Sequence, residues 1–222
     1  MRVAVIFSGG KDSCYALFKA GKKDDIKCLI SLKPENDSYM FHYPNIELVK
    51  VQARLMDIPL IFKKTNNKNE IEDLKKCLKE AIKKYKIEGL YSGALASNFQ
   101  REKIKKICDE LKLESINPLW NIDGEKYIKE LIDNKFKIII TGIAAEGLTK
   151  EFLGRIIDYE ILEKLKKIKD KYKINIHGEG GEYETFVLDC PMFKEEIKIE
   201  KSQIKMENEC TGRYVILKNN VC

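Results

Sequence analysis

The chain has 222 residues, of which 44% are hydrophobic and 34% are charged, and its formal net charge is +6. This composition excludes an intrinsically disordered protein, and no apolar run approaches the roughly 18 residues that a membrane-spanning helix needs. The length is sufficient for one large domain or two smaller ones, each with its own core.

Cysteine usage and the first residues indicate the cellular compartment. Seven cysteines are scattered along the chain and form no C-x-x-C pair, which argues against both a disulfide framework and a zinc site. The short apolar run at the N-terminus leads into glycines and charge without a signal-peptide cleavage pattern. We therefore expect a cytoplasmic protein with reduced thiols and no membrane association.

Short apolar runs alternate with amphipathic stretches through the first two thirds of the chain, as in βαβ units on a parallel sheet. The first run, RVAVIF, is continuously apolar, as expected of a central strand that is covered on both faces. Further predicted strands are IKCLISL, PLIFKKT, EGLYSGA and, continuing the alternation, FKIIITGIAA. Predicted helices begin near Ser13, include IELVKVQARLM and KYIKELIDNK, and span 70–86, about 97–113 and about 159–172.

The last part of the chain has a different pattern. HGEGGEYETFVLDCP is rich in glycine and acid, and EEIKIEKSQIKMENECTGRYVILK alternates like antiparallel strands. We expect an α/β protein with a doubly wound parallel sheet in residues 1–120 and a smaller α+β domain in residues 121–222. The site is expected in the cleft between the two domains.

The positive charge is concentrated in residues 60–112, which hold 14 Lys and Arg against 8 Asp and Glu. Such a segment can be a docking face for nucleic acid or for an acidic protein. The preferred interpretation is the solvated side of helices, because KKCLKEAIKKYK and REKIKKICDELK show helical apolar spacing with lysines on the outer side.

The stretch SGGKDS, residues 8–13, joins the first predicted strand to its helix. Ligands of open parallel sheets bind beyond the carboxyl ends of the strands. Glycines let backbone N–H groups approach an anion, the helix N-terminus contributes about half a positive charge, and Lys11 adds a full charge. Neither G-x-x-x-x-G-K-[ST] nor G-x-G-x-x-G is present. The stretch therefore predicts a polyphosphate-binding loop of another kind.

SGGKDS after the first strand resembles the PP-loop of the N-type ATP pyrophosphatases. Within this group, the chain resembles the diphthine:ammonia ligases, also called diphthamide synthases, in their minimal archaeal-type form. The resemblance covers roughly residues 1–195. The matching segments are SYMFHYPN (38–45), SGALASNFQREK (92–103), NPLW (117–120), TGIAAEGL (141–148) and GEGGEYETFVLDCP (178–191). Phe99 departs from the tyrosine that is usual at this position in the family.

The resemblance implies a Rossmann-like fold of the adenine nucleotide alpha hydrolase type. It also implies an ATP-dependent ligase that amidates diphthine on translation elongation factor 2 through an acyl adenylate, with ammonium as the amine donor and AMP and pyrophosphate as products. The implied cofactors are ATP and Mg²⁺, and the metal ligands are left unassigned. The implied partners are the diphthine-bearing elongation factor and ammonium rather than nucleic acid. The oligomeric state is left open, a homodimer included.

Candidate residues fall into three groups. The predicted nucleotide-binding residues are Ser8, Gly9, Gly10, Lys11, Asp12, Ser13, His42, Gly93 and Ala94. The predicted substrate-binding residues are Asn98, Gln100, Arg101, Glu179, Gly180, Gly181, Glu182, Tyr183, Glu184 and Thr185. The predicted catalytic residues are Lys11, Asp12, Ser13, Glu182 and Glu184.

The acidic block GEGGEYET has a physical motive in the implied substrates, because diphthine carries a trimethylammonium group and the donor travels as ammonium. In a strand that starts after Gly181, Glu182 and Glu184 share one face and Tyr183 takes the other. Tyr183, Trp120 and Tyr91 are candidates for an aromatic cage around the quaternary cation. A glycine turn followed by an ordinary exposed strand is the competing interpretation.

Four candidate residues have structural interpretations. Arg101 can equally lie on a solvated helix face, and His42 can equally be a packed histidine. His177 is expected to be structural, and Cys14 is expected to belong to the core. Two other functions also stay open: a PP-loop enzyme that adenylates a tRNA base, and an ATP-binding module without catalysis.

Overall fold

The structure, a computed structural model, describes residues 1–34, 45–66, 69–95 and 98–221, with the backbone alone for residues 98–100. The chain divides into two compact units, Met1–Asn121 and Ile122–Cys222. Among the residues described, no helix is both long and apolar enough to cross a bilayer.

The first unit is built on a five-stranded sheet in the order β3-β2-β1-β4-β5, in which every pair of neighbours is parallel. Its strands are β1 Arg2–Ile6, β2 Asp25–Pro34, β3 Leu60–Thr65, β4 Gly89–Tyr91 and β5 Glu114–Ile116. Strands β2 and β3 lie on one side of β1, and β4 and β5 lie on the other. The order therefore reverses between β1 and β4, which is where ligands bind in open sheets of this type.

Helices cover both faces of this sheet. They are α1 Lys11–Gly21, α2 Val49–Leu55, α3 Glu70–Tyr85 and α4 Asn98–Leu111, and a 3₁₀ helix at Ile46–Leu48 precedes α2. Ala4 of β1 packs in one core cluster with Leu78 of α3 and Cys108 of α4. Val3 and Val5 point to the opposite face and are fully buried as well. Helix α1, which contacts β1 and β2, is not part of that cluster. The predicted doubly wound α/β fold is confirmed.

The second unit is built on a four-stranded sheet in the order β7-β6-β9-β8, with antiparallel neighbours throughout. Its strands are β6 Lys137–Ala144, β7 Tyr183–Asp189, β8 Lys198–Met206 and β9 Thr211–Asn220. Its helices are α5 Gly124–Asp133 and α6 Tyr159–Tyr172, with a 3₁₀ helix at Lys150–Phe152. Helices α5 and α6 contact each other. Each begins at an aspartate, Asp123 or Asp158, whose carboxylate accepts a backbone N–H of the first turn.

Three local predictions need correction. FKIIITGIAA, which is β6, does not continue the parallel alternation but pairs antiparallel with β7 and β9. Its residues Ile138–Ile140 are buried, so the continuous apolar run could not reveal the direction of its neighbours. Strand β5 was not predicted, because three residues carry no readable pattern. Helix α1 begins at Lys11 rather than near Ser13.

Candidate active site

The SGGKDS loop leads from the end of β1 into α1. Gly9 has a φ of 78°, a left-handed conformation that glycine adopts without strain. Gly10 is the extended residue that precedes the helix, and no side chain caps the helix N-terminus there. Lys11, Asp12 and Ser13 therefore form the first turn of α1, where backbone N–H groups have no partner within the helix itself. This arrangement is suited to binding an anion.

Ser13 closes the loop on itself. Its Oγ atom donates to the carbonyl oxygen of Gly10 at 3.1 Å and accepts the backbone N–H of Ser8 at 3.2 Å. The hydroxyl of Ser8 also donates to Ser13 Oγ at 3.2 Å. The two hydroxyls predicted to contact the nucleotide thus hold the shape of the loop in this structure.

Lys11 is buried, with 2% of its surface exposed. Its ammonium lies 3.0 Å from the Oδ2 atom of Asp12, whose side chain is one-third exposed (33%). The lysine charge is therefore held inside the first helical turn rather than extended into solvent. The ammonium thus adds positive charge at the helix N-terminus, and the carboxylate of Asp12 offsets part of it.

Gly93 lies against the first turn of α1. A Cβ atom added at Gly93 would come within 2.7–2.9 Å of the backbone atoms of Asp12 and Ser13. Since β4 pairs with β1 in parallel, the segment after β4 meets the loop at the same edge of the sheet. Ala94 is the next residue along this segment, and its backbone N–H lies 3.5 Å from Ser92 Oγ. The structure thus brings the predicted residues Gly93, Asp12 and Ser13 together.

Gln52 of α2 forms a hydrogen bond to the loop of residues 8–13. The sequence does not single it out as a site residue. Gln52 is fully buried, and its Nε2 atom donates to the carbonyl oxygen of Gly9 at 3.1 Å. The available signal was a polar residue on the apolar face of a predicted helix, three residues after Val49. That signal shows that Gln52 needs a partner, but it does not identify the partner 43 residues away.

Arg101 lies in the first turns of α4, and its guanidinium carbon is 4.1 Å from the ring centroid of Trp120. This is a cation–π contact, in which the planar guanidinium keeps its edge available for a carboxylate or a phosphate. Asn98 and Gln100 occupy the start of the same helix, but their side chains lie outside the described residues. His42 lies outside them as well.

In the second unit, the glycines of the acidic block form the turn that leads into β7. Gly178 and Gly181 have φ values of 73° and 81°. Strand β7 begins at Tyr183, which is 2% exposed and donates its hydroxyl to the carbonyl oxygen of Ile176 at 2.7 Å. Tyr183 therefore packs inside its own unit.

Glu182 and Glu184, on either side of Tyr183, are both partly exposed. The Oε1 atom of Glu182 accepts the backbone N–H of Asn175 at 2.7 Å and its side-chain amide at 2.8 Å. The Oε2 atom is buried and has no hydrogen-bond partner within the described part of the chain. A buried carboxylate oxygen without a partner is costly unless a ligand or water satisfies it.

Glu184 and Thr185 lie opposite an irregularity in β6. Gly142 pairs with Glu184 and Ile140 pairs with Thr185, so Thr141 is an extra residue in β6. Such β-bulges are frequent beside functional sites. Glu179 and Gly180 belong to the preceding turn, where a Cβ atom at Gly180 would lie 2.8 Å from Glu182 Oε1.

Tyr91 and Trp120, the other two aromatic residues of the predicted cage, also contact other residues of the protein. Tyr91 is buried and donates its hydroxyl to Asp24 at 2.6 Å; burial and this hydrogen bond raise the pKa of the tyrosine. One face of Trp120 is covered by Arg101, as described above.

Within the described ranges, neither the buried cysteines discussed below nor any cluster of metal-ligating side chains indicates a second site. Burial raises the pKa of Cys28 to about 12 and that of Cys108 to about 11, so these thiols stay protonated at neutral pH. Cys14 is buried on α1, as expected of a core residue. No group of three metal-ligating side chains occurs among the residues that the structure describes.

Two family models match the chain. The model of the diphthamide synthase N-terminal domain matches residues 1–115, and the model of the diphthamide synthase C-terminal domain matches residues 123–221.

Curated relatives are similar over most of the chain. The diphthine–ammonia ligase of Mus musculus is 34% identical, with 94% of this chain and 86% of the relative covered. That of Homo sapiens is 33% identical, with 92% and 85% covered. That of Schizosaccharomyces pombe is 31% identical over 100% of this chain but only 39% of its own length.

Among solved structures, a predicted subunit of tRNA methyltransferase from Methanocaldococcus jannaschii aligns with 86% of this chain and 98% of its own. The identity is 18% and the TM-score 0.44, a similarity too low to support an inference.

Proposed function

The chain belongs to the diphthamide synthase family, and from this premise we propose that it is a diphthine–ammonia ligase. It would convert the diphthine of translation elongation factor 2 to diphthamide, using ATP and ammonium. Diphthine is proposed as the acceptor because the relatives named diphthine–ammonia ligase align with nearly the whole length of the chain.

The observation that best supports nucleotide chemistry is the loop of residues 8–13 at the point where the strand order reverses. Its glycines, the start of α1 and the buried Lys11 place positive potential and backbone N–H groups at one edge of the sheet. Gly93 lets the segment after β4 approach the same turn. A polyphosphate is the ligand class that fits these groups.

A carboxylate does not react with ammonia directly, and ATP would activate it. The diphthine carboxylate would attack the α-phosphate of ATP and release pyrophosphate. Ammonia would then attack the resulting acyl adenylate and release AMP. The protein has little covalent chemistry to perform in such a reaction. Its contribution is to position groups and to stabilise the charge that develops on the transferred and leaving phosphates. We assign that contribution to Lys11 and to the backbone N–H groups of the loop, whose shape Ser8 and Ser13 maintain.

A magnesium ion commonly accompanies polyphosphates and is held by one or two carboxylates together with phosphate oxygens. Asp12 fits this role because its partly exposed carboxylate lies in the first turn of α1. We propose Asp12 as a water-mediated partner of the ion.

We propose that the acidic block holds the cationic reactants. Glu182 presents a buried oxygen without a partner among the described residues, which suits an ammonium ion that can donate a hydrogen bond to it. Glu184, beside the bulge of β6, is the second carboxylate of this group. Arg101 is proposed to bind the substrate carboxylate or a phosphate through the edge of its guanidinium.

The test combines ATP, magnesium, ammonium and elongation factor 2 that carries diphthine, and follows AMP together with the mass of the acceptor. We expect AMP formation and the small mass decrease that accompanies replacement of a carboxyl OH by NH₂. Lys11→Ala should abolish both signals, because it removes the buried charge of the loop. Lys23→Ala, an exposed lysine just after α1, is the matched control and should retain both signals.

Three other outcomes of this assay would count against the proposal. AMP that forms only with tRNA would replace the acceptor and make residues 60–112 the interaction face. Nucleotide binding without AMP formation would indicate a binding module. Lack of nucleotide binding would contradict the proposal altogether.

A further inference from the structure

The contact between α2 and the anion-binding loop assigns a role to a residue that the proposed chemistry does not use. Gln52 is fully buried, and its amide nitrogen donates to the Gly9 carbonyl oxygen at 3.1 Å. A buried primary amide loses its water partners on folding, which makes its position costly unless its hydrogen bonds are made within the protein. The hydrogen bond to Gly9 is one such compensation.

This hydrogen bond fixes the orientation of one peptide group in the loop. The Gly9–Gly10 peptide is trans, so its C=O and N–H bonds point in opposite directions. Because the carbonyl oxygen is held on the side of α2, the N–H of Gly10 is directed away from α2. Gly10 immediately precedes α1, whose first N–H groups have no partner within the helix.

Gly9 itself depends on this packing. Its φ of 78° is open to glycine, and a Cβ atom at this position would lie 2.4 Å from Gln52 Oε1 and 3.2 Å from Val49 Cγ1. Helix α2 is therefore in close contact with the loop, and the alternative orientation of the flexible Gly9–Gly10 peptide would lose the hydrogen bond to Gln52.

We propose that Gln52 is a positioning residue of the nucleotide site: its side-chain amide holds the Gly9–Gly10 peptide so that the Gly10 N–H is oriented for a phosphate oxygen. A donor that is oriented in advance needs no reorganisation when charge develops on the phosphate, which is the basis of electrostatic preorganisation. This inference deepens the proposed function and rests on it.

The experiment measures the affinity of the full-length protein for magnesium pyrophosphate and for ATP by calorimetry, together with the unfolding midpoint without ligand. Gln52→Met keeps the length of the side chain and removes the donor. Thr65→Val is the matched control, since Thr65 is also buried and donates to Asp73 at 2.9 Å. We expect Gln52→Met to weaken pyrophosphate binding on the order of tenfold or more, as for loss of one oriented donor. Thr65→Val should lose stability but keep its affinity.

A second variant separates positioning from packing. Gln52→Glu keeps the shape of the side chain, but its carboxyl group can donate to Gly9 only when it is protonated. Relative to wild type at the same pH, its pyrophosphate affinity should therefore recover as the pH falls through the carboxyl pKa. Because the ionised carboxylate also repels the anion, the recovery supports positioning only if Gln52→Glu at low pH binds pyrophosphate more tightly than Gln52→Met, which has neither the donor nor the charge.

Three results would overturn the inference. Gln52→Met could bind pyrophosphate as wild type does, Thr65→Val could lose as much affinity as Gln52→Met, or the affinity of Gln52→Glu relative to wild type could be independent of pH. A wild-type protein that binds neither pyrophosphate nor ATP would refute the proposed function, and this inference would fall with it.

Discussion

Gly93 occupies a position where a side chain could not be accommodated without moving the loop of residues 8–13. A methyl group there would lie within 2.7–2.9 Å of the backbone of Asp12 and Ser13. Backbone atoms at a helix start cannot give way as a flexible side chain can. We therefore expect Gly93→Ala to displace the first turn of α1, to lower the unfolding free energy by about 1–3 kcal/mol, and to weaken ATP binding. Denaturant unfolding and calorimetry measure the two effects.

Gly21→Ala is the matched control for this prediction. Gly21 is the last residue of α1, and a Cβ atom there would make an ordinary contact of 3.4 Å with Ile26. Alanine in a helix is favoured over glycine, so this variant should gain about 0.4–1 kcal/mol of stability with unchanged ATP affinity. If Gly93→Ala behaved like Gly21→Ala, the close approach of β4 to the loop would have no functional consequence.

At single residues, the sequence predicts the loop and its chemistry but not the hydrogen bonds that hold it. SGGKDS predicts an anion site because its glycines and lysine stand between the first predicted strand and the helix that follows it. That Ser13 bonds within the loop, and that Gln52 bonds to Gly9, depend on side-chain directions and on a partner far along the chain. A linear pattern contains neither.

Among the elements, the turn before β7 makes a prediction about Glu182. Its Oε1 atom binds Asn175 and its Oε2 atom is buried without a partner among the described residues. Glu182→Gln keeps an oxygen for Asn175 but loses the charge proposed to hold a cation. We expect amide formation to fall at least about tenfold, or about 1.4 kcal/mol, with ATP affinity unchanged. The coupled AMP and acceptor-mass assay measures this.

Asn175→Ala tests the alternative that Glu182 only anchors the turn. This variant removes the side-chain donor to Glu182 but leaves the carboxylate charge in place. It should therefore reduce amide formation less than Glu182→Gln does. Equal losses in the two variants, or an equal loss of ATP binding in Glu182→Gln, would assign Glu182 a structural role.

The elements with long periodic patterns were the most predictable. The helix predicted at 159–172 is α6 Tyr159–Tyr172, and the one predicted at 70–86 is α3 Glu70–Tyr85. Strand β5 was too short to predict. The direction of β6 depends on its neighbours in space, which an apolar run buried on both faces does not reveal.

Over the whole molecule, stability should depend on pH through paired surface carboxylates. Hydrogen bonds from ammonium groups or a backbone N–H lower the pKa of seven carboxyl groups: Asp24, Glu47, Asp73, Glu88, Glu110, Glu125 and Glu160. A carboxyl group whose pKa is lowered in the folded state binds fewer protons there than in the unfolded state. Its stabilisation is present above the ordinary values of 3.8 and 4.5 and is lost as the pH falls below them.

Melting temperatures should therefore decline as the pH falls toward and below 4.5, and the decline should be shallower at 1 M salt because exposed pairs are screened. Asp189 acts in the opposite direction, since burial raises its pKa and the group favours folding when protonated. A melting temperature that stays constant from neutrality to well below pH 3.8 would show that the paired carboxylates contribute nothing measurable.

The net charge could be counted from the sequence, but the pairing could not. Lys75 of α3 binds Glu110 of α4, and Lys63 of β3 binds Glu80 of α3. The sequence shows each charged residue but not its ion-pair partner. The excess of basic residues in 60–112 is therefore visible in the sequence, whereas its partial neutralisation by these ion pairs is not.

The burial of the cysteines has a practical use for following the protein in solution. Cys14, Cys28, Cys77, Cys108 and Cys190 are all inaccessible, whereas Cys210, just before β9, is partly exposed. With Cys222 replaced by serine, a maleimide fluorophore should therefore attach selectively at Cys210 in the native state. The label would report by anisotropy or quenching whether the proposed acceptor, elongation factor 2, binds, without the introduction of a new cysteine.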